Sequence, residues 1–248
     1  MTMRLYISAL IAVAACGGCV THRMSNATAE RAGIATGFLN KSLKVDGKER
    51  GYVVYVPRAY DPGKKWPLIV FLHGAGERGD DGLIQSDVGL GRAIRQNPDR
   101  FPCVVVMPQC PGRVWWDEAA DEIELAYQKT VKEYSIDSSR TYLTGLSMGG
   151  YGTWVYGAQH IDRYAALAPI CGGGKPEDAA TLAKVPIWAF HGAVDEVVKP
   201  DESRKMVEAV KAAGGKVKYT EYPDLHHNSW DATYGDAEVI KWLLSQKR

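Results

Sequence analysis

The chain has 248 residues, of which 46% are hydrophobic and 24% are charged, a balance typical of one large globular domain with a substantial core. Its formal net charge of +1 gives no basis for a nucleic-acid partner, and no basic run of residues changes that reading. The sequence has no internal repeat and no low-complexity tract, which disfavours a repeat protein or a disordered one.

The N-terminal residues are predicted to direct export. A short positive start, residues 1–4, precedes an apolar stretch of 11 residues, Leu5 to Ala15, which suits a signal-peptide core and is too short to span a bilayer. The run Val13-Ala14-Ala15-Cys16 resembles the lipobox of bacterial lipoproteins, so we expect lipidation at Cys16. The alternative is ordinary cleavage near Ala15 or Cys19, which would give a secreted protein.

These features divide the chain into three parts. We assign residues 1–16 to a lipoprotein-type signal peptide, 17–35 to a polar tether and 36–248 to the catalytic domain. The expected location is the outer membrane or cell surface, or otherwise the periplasm or the medium. Membrane contact is expected only through the lipid anchor.

After the tether, predicted strands alternate with predicted helices, which indicates an α/β fold with a mostly parallel sheet and helices on both faces. The runs 37–45 and 50–56 flank Asp46-Gly47, a strong signal for an opening antiparallel hairpin. Apolar runs predict further strands at 66–72, 103–107, 141–144, 164–170, 186–190 and 216–222. Helices are predicted near 89–96, 117–134, 150–158, 201–213 and 236–246.

Residues 145–149, G-L-S-M-G, fit the pattern G-x-S-x-G between a predicted strand and a predicted helix. In that context the pattern predicts a nucleophile elbow, where a sharp, strained turn exposes the Oγ of Ser147. The flanking glycines would be needed because a turn so tight has no room for side chains. The alternative is a glycine-rich turn with an idle serine, so the rest of the chain must decide.

Candidate catalytic partners for Ser147 lie in the loops after two later predicted strands. A serine hydroxyl needs an imidazole to take its proton, and the imidazole needs a carboxylate to fix its tautomer. Asp195 follows the strand at 186–190, and His226-His227 follows the strand at 216–222. Because these loops leave the same edge of a parallel sheet, we expect the three groups to meet there. The order Ser, Asp, His is the one found in α/β-hydrolases.

The negative charge of a tetrahedral intermediate needs backbone N–H donors. Met148, directly after the nucleophile, is one candidate donor. The other is expected in the loop after residues 66–72, where we favour Ala75 N–H, with Gly76 second. His73 and His191 are interpreted as structural histidines of their loops.

Five motifs in order carry a resemblance to a known family: H-G-A-G-E-R-G (73–79), P-Q-C-P (108–111), G-L-S-M-G-G-Y-G-T-W (145–154), H-G-A-V-D-E-V-V (191–198) and H-N-S-W (227–230). The sequence resembles α/β-hydrolases of the group of secreted bacterial esterases labelled predicted peptidases or phospholipase/carboxylesterase-like. These are relatives of feruloyl esterases and polyhydroxyalkanoate depolymerases. The resemblance covers residue 37 to the C-terminus and implies the α/β-hydrolase fold in a single domain.

The same resemblance selects the catalytic histidine. In the family it precedes a small polar pair and a tryptophan, which selects His227. His226 stands where a glycine is usual, so it is interpreted as a loop residue beside the substrate pocket. Trp116 and Trp230 are further candidates for the pocket wall, with Trp115 ranked lower; packing of helices onto the sheet is the alternative for all three.

Outside the cytoplasm, two of Cys103, Cys110 and Cys171 could form a disulfide, although buried free thiols are an equal alternative. No metal or cofactor is implied. We therefore predict a serine esterase that acts on small-molecule or polysaccharide-linked esters. The alternatives are a serine peptidase of the same fold and a lipoprotein that binds a ligand without turnover.

Overall fold

The computed structural model describes residues 33–248, so the predicted signal peptide, Cys16 and most of the tether lie outside the described residues. The chain forms one eight-stranded sheet in the order β1-β2-β4-β3-β5-β6-β7-β8. The strands are β1 (Gly37–Val45), β2 (Lys48–Val56), β3 (Trp66–Leu72), β4 (Val104–Pro108), β5 (Ile136–Leu146), β6 (Ala166–Ile170), β7 (Ile187–Gly192) and β8 (Val217–Tyr222).

The predicted hairpin opens the sheet. Asp46 and Gly47 both have positive φ, 48° and 76°, as a two-residue turn that matches the strand twist requires. β2 is antiparallel to β1 and to β4, while the pairs from β4–β3 through β7–β8 are parallel. The parallel strands therefore present their carboxyl ends at one edge of the sheet.

Helices cover both faces of the sheet. They are α1 (Leu90–Gln96), α2 (Ala120–Glu133), α3 (Met148–Gln159), α4 (Ala179–Leu182), α5 (Asp201–Ala212), α6 (Ser229–Gly235) and α7 (Ala237–Ser245). Two clusters of buried side chains fill the space on the two sides, and β3 and β4 contribute to both. A strand buried on both faces is apolar throughout, which explains why the sequence of β3 lacks alternation. The predicted fold class, a single-domain α/β-hydrolase fold, is confirmed.

Three elements differ from the sequence prediction, and one of them is the four-residue helix α4, which was not predicted. β5 begins at Ile136, five residues before the predicted start, because Ile136 pairs with Trp66 across a register shift in β3. Helix α6 was not predicted, since it has only seven residues and begins directly after the loop that carries His227. Among residues 33–248, no helix is both long enough and apolar enough to cross a membrane.

Candidate active site

Ser147 occupies a strained turn between β5 and α3. Its backbone has φ 54° and ψ −117°, a region that costs a non-glycine residue about 1–3 kcal/mol. Two hydrogen bonds hold the turn: Ser147 N–H donates to the Ile170 carbonyl at 3.0 Å, and the Ser147 carbonyl accepts from Tyr151 N–H at 3.0 Å. The sharp turn of a nucleophile elbow is therefore present at the predicted residue.

The glycines on either side of Ser147 are required by close backbone approach. A Cβ at Gly145 would lie 2.3 Å from the Gly149 carbonyl oxygen, and a Cβ at Gly149 would lie 2.0 Å from that of Leu72. Real Cβ atoms do not approach so closely, so any larger residue would push β5, α3 and β3 apart. The G-x-S-x-G spacing thus follows from the packing of the turn against the end of β3.

A continuous chain of hydrogen bonds joins the three residues predicted as a triad. His227 Nε2 lies 2.9 Å from Ser147 Oγ, and His227 Nδ1 lies 2.7 Å from Asp195 Oδ2. An ionised carboxylate can only accept, so Nδ1 carries the proton and Nε2 is free to accept from the serine hydroxyl. His226 is exposed and lies outside this chain of contacts. The loop after β8 therefore presents the second histidine of the pair to Ser147.

Asp195 is buried and fully engaged. Its Oδ1 accepts from the N–H groups of Val197 and Val198, each at 2.9 Å, and the residue is 2% exposed. Burial alone would raise the pKa of Asp195, but the hydrogen bonds from His227 and from the two backbone N–H groups outweigh it and lower the pKa. The carboxylate is consequently ionised and fixed in place, as an acid that orients an imidazole must be.

His73 holds the loop after β3. Cys110 N–H donates to His73 Nε2 at 2.9 Å, which leaves Nδ1 protonated and donating to the Gly74 carbonyl at 2.6 Å. Burial lowers the pKa of His73 to about 4, so the ring is neutral at neutral pH. The structural interpretation of His73 fits this tautomer, because both ring nitrogens are used by backbone groups.

The anchored Gly74 carbonyl sets the direction of Ala75 N–H. In a trans peptide the C=O and the following N–H point in opposite directions, so Ala75 N–H points away from the His73 ring. The loop lies against the elbow, since a Cβ at Gly74 would be 3.5 Å from Ser147 Cβ. Met148 opens α3, where a backbone N–H has no partner within its own helix. Met148 therefore adjoins Ser147 in the chain, and Ala75 follows the glycine that lies against Ser147.

Two charged side chains brace the same loop. Glu77 Oε2 accepts from Gly74 N–H at 3.0 Å. Arg78 Nε donates to the Ala75 carbonyl at 3.0 Å, and its Nη1 donates to the Val114 carbonyl at 3.3 Å. These contacts fix the Gly74 N–H and the Ala75 carbonyl, which lie on either side of the peptide group that carries Ala75 N–H. They also connect the loop to the segment that carries the two neighbouring tryptophans.

The prediction that Trp116 lines the substrate pocket is wrong. Trp116 is 1% exposed, and its Nε1–H donates to the His73 carbonyl at 3.0 Å. Trp115 is instead 47% exposed, and its ring meets that of Tyr151 edge to face at 5.9 Å. Tyr151 was missed by the sequence analysis, although a residue four positions after the nucleophile lies on the same side of the helix. The exposed Trp115 and the half-buried Tyr151 form an aromatic pair next to the elbow.

The remaining predicted pocket residues follow β8, His226 in the loop and Trp230 in the first turn of α6. The Trp230 ring lies edge-on to the His227 ring, with centroids 5.3 Å apart, and Trp230 is half-buried. This contact packs an aromatic ring against the imidazole that contacts Ser147. The exposed His226 precedes His227 on the rim of the site.

Cys103, Cys110 and Cys171 are free and buried, so the free-thiol alternative holds and no disulfide joins them. Cys171 has a positive φ of 41°, and its Sγ lies within 4.8 Å of side-chain atoms of Asp195 and His227. Burial raises the pKa of Cys171 to about 12, so its thiol is neutral. It is the Ser147 hydroxyl, at the elbow, that contacts His227 Nε2.

Comparison with known proteins places this geometry in context. The crystal structure of a thermostable esterase matches with a TM-score of 0.77 and 37% sequence identity, covering 85% of this chain and 63% of that chain. A serine-to-alanine mutant of the feruloyl esterase module from Clostridium thermocellum, complexed with sinapinate, matches with a TM-score of 0.69 and 20% sequence identity. The match covers 86% of this chain and 89% of that chain. The fold and the hydrogen-bonded Ser-His-Asp arrangement define an α/β-hydrolase.

Within that class, a family model described as "Dienelactone hydrolase family" matches residues 40–234, and the chain belongs to this family. The bifunctional acetylxylan esterase/xylanase XynS20E of Neocallimastix patriciarum is 30% identical over 165 residues, which is 64% of this chain and 23% of that protein. The chain therefore spans less than a quarter of that relative. The resemblance to α/β-hydrolase esterases expected from the motifs is confirmed.

Proposed function

We propose that the protein is a serine esterase that hydrolyses carboxylic esters through an acyl-enzyme. The observation that carries this proposal is the unbroken hydrogen-bond chain from Ser147 Oγ through His227 to Asp195, with Ser147 at a strained turn. Ligand binding without turnover needs neither a strained nucleophile nor an oriented base. The combination therefore favours catalysis.

In the acylation step, His227 Nε2 takes the hydroxyl proton as Ser147 Oγ attacks the ester carbon. The resulting imidazolium is stabilised by Asp195, which is ionised and already hydrogen-bonded to Nδ1. Negative charge moves to the former carbonyl oxygen, where Ala75 N–H and Met148 N–H donate to it. The bond to the alcohol then breaks, and His227 returns the proton to the leaving oxygen.

Deacylation repeats the sequence with water. His227 Nε2 takes a proton from a water molecule, whose oxygen attacks the acyl carbon, and the same two N–H groups stabilise the oxyanion. Collapse of the intermediate releases the carboxylic acid, and the proton returns to Ser147 Oγ. Nothing in this cycle requires a group beyond the residues named.

The substrate class follows from the relatives and from the rim of the site. Proteins named acetylxylan esterase and feruloyl esterase are among those the chain is similar to, which favours esters attached to plant polysaccharides. Trp115, nearly half exposed beside Tyr151, offers a flat surface for a ring of such a substrate. Trp230 and His226 would contact the substrate from the opposite side of the nucleophile.

A panel of substrates tests the proposal. Purified protein is assayed with p-nitrophenyl acetate, methyl ferulate, acetylated xylan and a peptide p-nitroanilide, beside Ser147→Ala as the matched control. We expect ester hydrolysis that disappears in the variant while its thermal melt stays that of a folded protein. Hydrolysis of the anilide alone would replace the proposal with a peptidase. No turnover of any substrate by the wild type would replace it with a binding protein.

We further propose that the protein is exported and anchored through Cys16, on the evidence of the apolar stretch and the lipobox-like run before that residue. Expression of the full chain in a bacterial host, followed by membrane fractionation and mass spectrometry, tests this. An acylated N-terminal cysteine in the wild type and loss of membrane association in Cys16→Ser are expected. An unmodified chain with the same fractionation in both proteins would contradict the anchor.

A further inference from the structure

A second histidine lies directly behind the triad carboxylate. His191 is the last residue but one of β7, four residues before Asp195, and both side chains are 0% exposed. His191 Nε2 lies 2.9 Å from the Val198 carbonyl oxygen and 3.2 Å from Asp195 Oδ2. Asp195 Oδ2 is also the atom that accepts from His227 Nδ1. The two histidines therefore meet at the same carboxylate oxygen.

The groups around His191 determine which of its two ring nitrogens carries the proton. Nε2 faces a carbonyl oxygen and an ionised carboxylate, both of which only accept hydrogen bonds. A lone pair on Nε2 would be repelled by both, so Nε2 must carry a proton. That proton is shared between the Val198 carbonyl and Asp195 Oδ2, with the nearer carbonyl as the main acceptor.

The other ring nitrogen of His191, Nδ1, contacts Ser203 on α5. Nδ1 lies 2.7 Å from Ser203 Oγ, which also lies 2.8 Å from the Gly172 carbonyl oxygen. Burial lowers the pKa of His191, which favours the neutral ring. The single hydroxyl proton of Ser203 can go either to Nδ1 or to the Gly172 carbonyl, which only accepts. The contact with Ser203 therefore does not determine the tautomer, which follows from the two acceptors that face Nε2.

We propose that His191 is a positioning residue for the proposed reaction: its Nε2–H holds Asp195 and the loop 192–198 in the place from which the carboxylate orients His227. This inference rests on the proposed function only in its kinetic consequence, since the tautomer and the contact are properties of the folded protein. It assigns a role to a histidine that the sequence analysis treated only as a loop residue.

The contact has a specific effect on the triad. Without the Nε2–H donor, Asp195 Oδ2 and the Val198 carbonyl would each have one hydrogen bond fewer, and the loop would lose one of its hydrogen bonds to β7. A displaced carboxylate tilts the His227 ring away from Ser147. Misplacement of a reacting group by about 1 Å costs about a hundredfold in rate. Substrate affinity would change little, because His191 is buried beneath the site.

Two substitutions of His191, by Gln and by Asn, distinguish a role in positioning Asp195 from a role in packing alone. In Gln, the terminal amide nitrogen reaches about as far from the backbone as Nε2 does, so His191→Gln keeps a donor for Asp195 and Val198. In Asn, the amide ends near the position of Nδ1, so His191→Asn keeps only the contact with Ser203. Both replace a buried ring with an amide, and Asn, which is one methylene group shorter, leaves more empty space than Gln. Thermal melts of both variants show whether they remain folded.

The experiment compares kcat and KM for a p-nitrophenyl ester across the wild type and the two variants. We expect His191→Asn to lose about ten- to a hundredfold in kcat with KM nearly unchanged, and His191→Gln to recover most of that loss. Equal losses in the two variants, or a change confined to KM, would overturn the proposal.

A spectroscopic measurement decides the matter even if no ester is hydrolysed. Histidine-selective ¹⁵N NMR of the folded wild type is expected to show His191 as the Nε2–H tautomer. The downfield proton between His227 Nδ1 and Asp195 should persist in His191→Gln and disappear or move in His191→Asn. An Nδ1–H tautomer for His191, or an unchanged proton in both variants, would overturn the role. Failure of the ester panel alone would overturn the proposed function instead.

Discussion

The indole N–H of Trp116 donates to the carbonyl of His73, and the two rings meet edge to face with centroids 4.9 Å apart. Trp116 thereby supports the peptide that leads to the oxyanion loop, while its neighbour Trp115 faces outward. Because consecutive residues in this loop point in opposite directions, one tryptophan belongs to the core and the other to the surface. This contrast can be tested with a pair of variants.

Trp116→Phe keeps an aromatic ring but removes the N–H donor and part of the buried side chain. We expect a loss of about 1–3 kcal/mol in the free energy of unfolding, since a buried carbonyl is left without its partner. We also expect a lower kcat, because the loop after β3 is less firmly held. Trp115→Ala should leave stability within about 0.5 kcal/mol and raise KM for aryl esters. Denaturant titration and steady-state kinetics measure both; equal destabilisation by the two changes would contradict the assignment.

The proposed oxyanion donor Ala75 N–H can be tested by a substitution that removes its amide hydrogen. Ala75 is the first residue of the 3₁₀ helix Ala75–Glu77, and Gly74 before it is extended, with φ −81° and ψ −179°. Proline fits the first position of a helix and an extended preceding residue, so Ala75→Pro should fold normally. We expect a fall in kcat of about 10²–10³ if Ala75 N–H stabilises the oxyanion. Ala75→Ser, which keeps the N–H, is the matched control, and an active Ala75→Pro would move the role to Gly76.

The two adjacent histidines differ sharply in what they contact. His227→Ala should lower kcat by about a thousandfold or more, because the residual rate then depends on the oxyanion donors and on binding. His226→Ala should keep most of its kcat, since this side chain is exposed and outside the hydrogen-bond chain. Steady-state kinetics on one ester gives the ranking. The reverse order would transfer the base to His226.

Burial of the three thiols makes both their reactivity and their contribution to stability depend on pH. Burial raises the pKa of Cys110 and Cys171 from 9.0 to about 12. A raised pKa in the folded state means that the neutral thiols contribute to stability below pH 9 and that this contribution is lost as the pH rises towards 12. We expect iodoacetamide at pH 8 to spare Cys103, Cys110 and Cys171 in the native protein and to alkylate them after denaturation. A mass gain on reduction before alkylation would instead reveal a disulfide.

The elbow could be predicted from sequence because its determinants are local. A short apolar strand, two glycines that flank one serine and a small-residue helix all lie within residues 141–158, so no distant contact is needed to define the turn. The partners of Ser147 were found for a topological reason, since parallel strands deliver their following loops to one edge. The position of His227, rather than His226, depended on the family resemblance.

Other features depend on packing that no local pattern reveals. The loop between β4 and α2 has no periodicity, so only the contact with His73 determines which of Trp115 and Trp116 is buried. The first half of β5 is polar, and its pairing with β3 decides that it is a strand. His191 contacts Asp195 across a turn, an arrangement invisible to spacing rules for helices or strands.

The central claim is that Ser147 is the nucleophile. The most direct measurement is to treat the folded wild type and Ser147→Ala with a fluorophosphonate probe and to locate the adduct by peptide mass spectrometry. The account predicts a single adduct, on the peptide that contains Ser147, and no labelling of the variant. An adduct on any other residue, such as Cys171, or equal labelling of Ser147→Ala, would contradict it.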